Sequence, residues 1–249
     1  MMLRPFFSFY GSKWQIAKRY PTPEHGTIIE PFAGSAGYSL RYPDRMVKLI
    51  DIDPRVVGVW SYLIATPSWE IARLPLLEPS QSVDDLNICQ EARWLIGFWL
   101  NKASTMPKKS ASAWMRKERY KNQFWGERIR ERVASQVDSI RHWEVAHGSY
   151  ADIPAQEATW FIDPPYQAKG KYYSCSLESS CFPLLAQWCR SLPGQVIACE
   201  QDGANWLPFA HLVDAKATTK SAGASQTSKE VIWTSHSPQR RTTPCRCNM

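Results

Sequence analysis

Two apolar, β-branched runs that each stop in acids, joined by a loop of small residues, constrain this chain more than any other feature. Thr27-Ile28-Ile29-Glu30 leads into Pro31-Phe32-Ala33-Gly34-Ser35-Ala36-Gly37, a helix is expected over Tyr38 to Arg41, and Met46-Val47-Lys48-Leu49-Ile50 ends in Asp51-Ile52-Asp53-Pro54. Strand, turn, helix and strand make a parallel unit, and the small residues let a ligand approach the backbone at the strand's carboxyl end. Asp51 lies 17 residues beyond Gly34, about where the ribose-binding acid of a nucleotide-type unit falls. The dinucleotide fingerprint GxGxxG is absent, because positions 34, 36 and 39 are Gly, Ala and Ser, which disfavours NAD. Asp53 and Pro54 read as the cap and first residue of the next helix. Asp51 is left as the ligand residue.

A third apolar run, Thr159-Trp160-Phe161-Ile162, stops in Asp163-Pro164-Pro165-Tyr166. This tetrapeptide suits chemistry on an amino group attached to a flat ring. Such a nitrogen is a poor nucleophile because its lone pair is delocalised into the ring. Two acceptors on its N–H protons return that lone pair, and the Asp163 carboxylate and Pro164 carbonyl can supply them. Proline fixes φ and carries no N–H, so the carbonyls are aimed. Tyr166 offers a face on which a base stacks, worth roughly 1–3 kcal/mol in comparable sites. The expected catalytic residues are Asp163, Pro164 and Tyr166. A strand that merely ends in a Pro-Pro turn is the plain alternative for an isolated tetrapeptide.

Charge is concentrated in one place. Residues 102–132 hold ten basic and three acidic side chains, an excess of seven that equals the net charge of +7 for all 249 residues. The remainder balances at 20 basic against 20 acidic. A neutral body with one basic segment has the footprint of a polyanion-binding element, since Lys and Arg on a phosphate backbone release counterions. Lys108, Lys109, Trp114, Arg116 and Lys117 are its expected contacts, with Lys169 and Tyr172 in the flexible stretch Gln167 to Ser176 closing over an extruded base. Apolar spacing predicts helices over Asp84 to Leu100 and Arg119 to Trp143, and places Trp94, Trp99 and Trp125 in the core.

The longest apolar stretch, Trp94 to Leu100, is far short of a membrane span. The odd count of 7 cysteines lacks paired metal spacing. A reduced, cytoplasmic protein without a metal is expected, as a monomer or weak dimer.

Together these segments resemble the DNA adenine methylase (Dam-like) family of S-adenosylmethionine-dependent amino-methyltransferases. The matching pieces are Phe9-Tyr10-Gly11-Ser12-Lys13, Glu30 to Gly37, Asp51, Asp163 to Tyr166, and the late strand Lys229-Glu230-Val231-Ile232-Trp233, in the family's order. The resemblance implies a Rossmann-like α/β methyltransferase sheet carried by residues 1–66 and 144–235. Residues 67–143 would be an inserted, mainly helical target-recognition region, and 236–249 a disordered tail. It implies an adenine of double-stranded DNA flipped out as the acceptor. The cofactor set is Phe9, Tyr10, Gly11, Lys13, Pro31, Phe32, Gly34 and Asp51, together with Asp163; Phe9 and Lys13 would lie against the methionine part and Asp51 on the ribose. Asp152 follows where the family contacts the cofactor's adenine. One departure stands out: the family's second loop glycine is Ala36 here, with Gly37 one place later. Cytosine N4 and RNA adenine present the same kind of amino group, and a basic binding subunit without catalysis is the alternative of another class. Restriction-modification, a mobile element and a regulatory circuit are all open as settings.

Overall fold

The computed structural model describes residues 2–78, 80–101, 104–112, 123–167, 178–216 and 227–235. Within them the chain forms one mixed sheet of β1 Thr27–Glu30, β2 Met46–Asp51, β3 Glu144–His147, β4 Ala158–Ile162, β5 Gly194–Gln201, β6 Ala210–Lys216 and β7 Thr227–Thr234. The order is β3-β2-β1-β4-β5-β7-β6. Neighbours from β3 to β5 run parallel, and β7 is antiparallel to both β5 and β6. This is the Rossmann-like α/β sheet expected from the sequence.

From β1 the chain winds outward through β2 to β3, then crosses back to β4. The crevice of such a sheet opens beyond the carboxyl ends at that switch point. Pairing of Ile28 with Thr159 and of Ile29 with Trp160 sets the register there. Glu30 closes β1 and Asp163 follows β4, so two motifs far apart in sequence end side by side.

Strand β4 is buried at every position, as a central parallel strand covered on both faces must be. Its side chains alternate between two cores. Phe161 joins Phe6, Phe7, Tyr38 and Trp60 on one face; Trp160 and Ile162 join Phe182, Leu185 and Trp206 on the other. The first core is covered by α1 Pro54–Ala65, α3 Gln90–Trp99 and α4 Glu127–Val137, with the short α2 Ser68–Ala72 beside α4; α5 Phe182–Ser191 covers the second. The helices between β2 and β3 therefore share a continuous core with α1. Trp99 and Trp125 are buried, as expected, although Trp125 precedes α4, and Trp94 is only partly buried at that core's margin.

Asp53 caps α1 by accepting from the Arg55 amide at 2.9 Å, with Pro54 as the first helical residue. Other expected elements come out shorter. The helix expected from Asp84 begins at Gln90, because Ser82 and Asp85 close a capping box on a separate 3-10 turn, Val83–Asp85, and Leu86 then turns extended. The helix expected from Arg119 to Trp143 is described as α4 plus a 3-10 turn, Asp138–Ile140; residues 113–122 lie outside the described residues. The helix expected after the small-residue loop is a 3-10 turn, Ser39–Arg41. None of the described helices is long and apolar enough to cross a membrane.

Candidate active site

The loop after β1 is held by its own backbone. The Ala33 amide donates to the Ile50 carbonyl at 3.0 Å and the Ala36 amide to that of Ala33 at 2.7 Å, while the indole of Trp60 donates to the Gly34 carbonyl at 2.8 Å. Gly34 has φ 43° and Ala36 φ 50°. Position 36 thus has a backbone that favours glycine but carries an alanine, whose methyl is fully buried in the core. A left-handed alanine costs about 1–2 kcal/mol, offset in part by that burial. Gly37 does a different job. A methyl there would lie 2.6 Å from the Trp14 amide nitrogen and 2.9 Å from that of Lys13. The shifted glycine lets the turn from Phe9 to Trp14 sit directly on the loop.

Asp51 ends β2 facing that loop. One carboxylate oxygen accepts from the Gly34 amide and the other from the Asp53 amide, both at 2.9 Å. Burial raises its pKa, and the backbone N–H groups hold it back. A carboxylate offers about four acceptor positions, which leaves room for a hydroxyl group. Glu30 lies deeper, accepting from the Ser39 amide at 2.8 Å. Burial pushes its pKa up to about 8.

A cavity opens over these groups at the switch point. Phe9, Tyr10, Gly11, Lys13, Pro31, Phe32, Gly34 and Asp51 all line it, and so does Asp163. Lys13 is not a surface lysine. Its ammonium is 2.9 Å from Asp163 Oδ1 and 3.8 Å from Glu230 Oε1, donates to the Gly11 carbonyl at 2.9 Å, and lies 4.6 Å from the centre of the Tyr166 ring. Burial pushes Asp163 up to about 6; Glu230 and Glu200 push the same way, and Lys13 opposes them.

Tyr166 and Pro164 stand apart from the cavity lining, in which Pro165 takes part. The Tyr166 hydroxyl donates to Glu230 Oε1, which also accepts from Tyr20 at 2.7 Å. The ring expected as a stacking plate thus faces a lysine and is anchored by a carboxylate. Asp152 is exposed and off the cavity; Ser149 and Tyr150 line it instead, with Tyr150 against Phe32 at 5.5 Å between ring centres.

Sequence reasoning passed over Glu230 as a functional residue, together with Tyr20, Glu30 and Glu200. The available signal was a carboxylate directly before the apolar run Val231-Ile232-Trp233 of β7, a position where a buried acid needs partners. Lys108 and Lys109 are exposed on the loop after α3, where Lys109 pairs with Asp84 at 2.7 Å. Trp114, Arg116, Lys117, Lys169, Tyr172 and the tail 236–249 lie outside the described residues.

No family model matches this chain, and no curated protein matches it. Among solved structures, the rRNA methyltransferase AviRa from Streptomyces viridochromogenes is similar over 93% of this chain and 88% of its own, at 13% identity and a TM-score of 0.40.

Proposed function

We propose that this chain is an S-adenosylmethionine-dependent amino-methyltransferase that acts on the N6 nitrogen of adenine in double-stranded DNA. The observation that carries the reading is the meeting of Asp163 with the small-residue loop and Asp51 in one cavity. The residues fit the cofactor. Gly34 opens the backbone to a ligand, Asp51 has acceptor positions for ribose hydroxyls, and Ile52, half exposed at 52%, offers an apolar surface at the cavity edge. Bound S-adenosylmethionine supplies a methyl group on a positively charged sulfur.

Asp163 accepts a hydrogen bond from the acceptor's amino group, which draws the nitrogen toward tetrahedral geometry and stabilises the positive charge that grows on it. A new N–C bond forms as the S–C bond breaks. The nitrogen then sheds one proton, and a carboxylate whose pKa lies at about 6 is a suitable first acceptor. Holding the two reactants in line supplies much of the rate. Flipping the base costs a few kcal/mol.

The acceptor follows from chemistry in two steps. An acid that receives N–H groups supports a ring-bound amine, and the basic excess of residues 102–132 supports a nucleic acid, with residues 67–143 as the target-recognition region. The choice of adenine in duplex DNA rests on the family resemblance. Tritiated-methyl transfer to duplex DNA, single-stranded DNA and RNA, followed by nucleoside analysis of the product, tests all three levels. Label in N6-methyladenine of duplex DNA is expected. Label in N4-methylcytosine or in RNA would move the acceptor and keep the chemistry, and absence of label with every acceptor would overturn the reading.

A further inference from the structure

Lys13 is a cation standing where the proposed reaction has to create one. Its ammonium lies against Asp163 Oδ1 at 2.9 Å and 4.6 Å from the centre of the Tyr166 ring, the two groups expected to seat the acceptor base between them. Only 7% of its side chain is exposed. An acceptor that turns positive beside that ammonium meets a like charge in a site with little water, where screening is weak. Asp163 cannot serve both at full strength.

A second anion is already within reach. Glu230 Oε1 is 3.8 Å from the same ammonium, so a shift of about 1 Å converts a loose ion pair into a hydrogen-bonded one. Glu230 itself is fixed, buried on β7 with the hydroxyls of Tyr20 and Tyr166 on one oxygen. Lys13 rides on the turn that packs against Gly37, and its hydrogen bond to the Gly11 carbonyl belongs to that turn. The turn keeps its place while the flexible side-chain end moves.

We propose that Lys13 occupies the acceptor nitrogen's place on Asp163 in the free protein and passes to Glu230 when the acceptor base enters. This rests on the methyltransferase reading. Lys13 is then a positioning residue: it keeps Asp163 aimed and compensated while the site is empty, and Glu230 is the counter-ion that releases Asp163 for the base. Site entry exchanges one cation for a nitrogen that becomes one.

A double-mutant cycle in single-turnover methyl transfer, at alkaline pH where Asp163 is ionised, tests the exchange. Glu230→Gln keeps an oxygen for the two tyrosines and removes the anion that takes the lysine. In the wild-type background it is expected to raise the acceptor concentration for half-maximal rate, or to lower the single-turnover rate constant, by about tenfold or more, with S-adenosylmethionine affinity by calorimetry within about twofold. In a Lys13→Met background the same change should have less than about a twofold effect, because no lysine needs a second site. Lys13→Gln serves as a second background, and thermal melts identify a variant that fails to fold. Equal losses from Glu230→Gln in both backgrounds would overturn the proposal, since Glu230 would then act through the tyrosines. Loss of all transfer in both Lys13 variants, at S-adenosylmethionine concentrations that calorimetry shows to saturate each of them, overturns it too, because a lysine that holds a place until the base arrives is not needed for the chemical step. A wild-type protein that transfers no methyl group overturns the methyltransferase reading itself, and this inference with it.

Discussion

Asp163 must be an anion to accept from an amino group, and burial sets the pH at which that happens. With a pKa of about 6, the group is protonated in acid and ionised above. The rate of methyl transfer should therefore rise with pH through about 6 and then level off. Asp163→Ala should abolish transfer and leave cofactor affinity within about tenfold, as read by calorimetry. A substantial residual turnover in that variant would move the catalytic role to another residue. Glu30 gives a separate prediction about stability. Its folded pKa of about 8 lies above the ordinary value of 4.5, so the folded state holds the proton more tightly. Its contribution is fully present below about 4.5 and is lost as pH rises through about 8. Glu30→Gln keeps a carbonyl oxygen for the Ser39 amide and has no proton to lose. The melting temperature of that variant should gain on the wild type from acid to alkaline pH; a constant difference would mean that folding leaves the Glu30 pKa unshifted.

At the scale of elements, Gly97 on α3 controls where the basic loop lies. A methyl at that position would come within 2.7 Å of the Lys108 carbonyl oxygen and 2.8 Å of the Pro107 side chain, and the Lys108 amide donates to the Gly97 carbonyl at 3.0 Å. The same loop reaches the cavity, where the Ser104 carbonyl accepts from the Tyr10 amide at 3.2 Å and Thr105 is part of the lining. Gly97→Ala is expected to destabilise the fold by roughly 1–3 kcal/mol through overpacking, measured by urea denaturation. A variant as stable as the wild type would show that the loop yields easily. What the sequence revealed and concealed divides along the same line. The strands that line the switch point were legible because each is a compact β-branched or apolar run, so β1 and the start of β2 fall where the runs do and β4 begins one residue before its run. The start of α3 was not, because the capping box of Ser82 and Asp85 spends its signal on a 3-10 turn. The cavity lining was legible because its residues cluster in short motifs. The carboxylate network was not: Tyr20 and Tyr166 meet Glu230 across 210 and 64 residues, and no local pattern encodes a contact made by sheet order.

The charge of the basic segment looks uniform in sequence and is not so in the whole molecule. Among the basic residues of 102–132, Arg130 donates to the Leu74 carbonyl at 2.9 Å. Arg132 donates to that of Pro5 and lies 5.1 Å from the Trp99 ring, where burial lowers its pKa to about 10. These two arginines tie α4 to its neighbours. Lys108 and Arg128 are exposed, and Lys109 is exposed but shares its charge with Asp84, a surface pair worth about 0–1 kcal/mol. Equal formal charges should therefore act unequally on a polyanion. Lys108→Ala is expected to flatten the plot of log affinity for duplex DNA against log salt by up to about 0.9 for each phosphate that it no longer neutralises. Lys109→Ala should flatten it less, because Asp84 already offsets part of that charge at the surface. Arg132→Ala should leave the salt slope nearly unchanged and lower the urea midpoint instead, since its guanidinium serves the fold. Filter-binding titrations across a salt series, run beside urea melts of the same three variants, separate the two effects. A slope that falls as much for Arg132→Ala as for Lys108→Ala would sink the division and return the whole basic segment to the phosphate backbone.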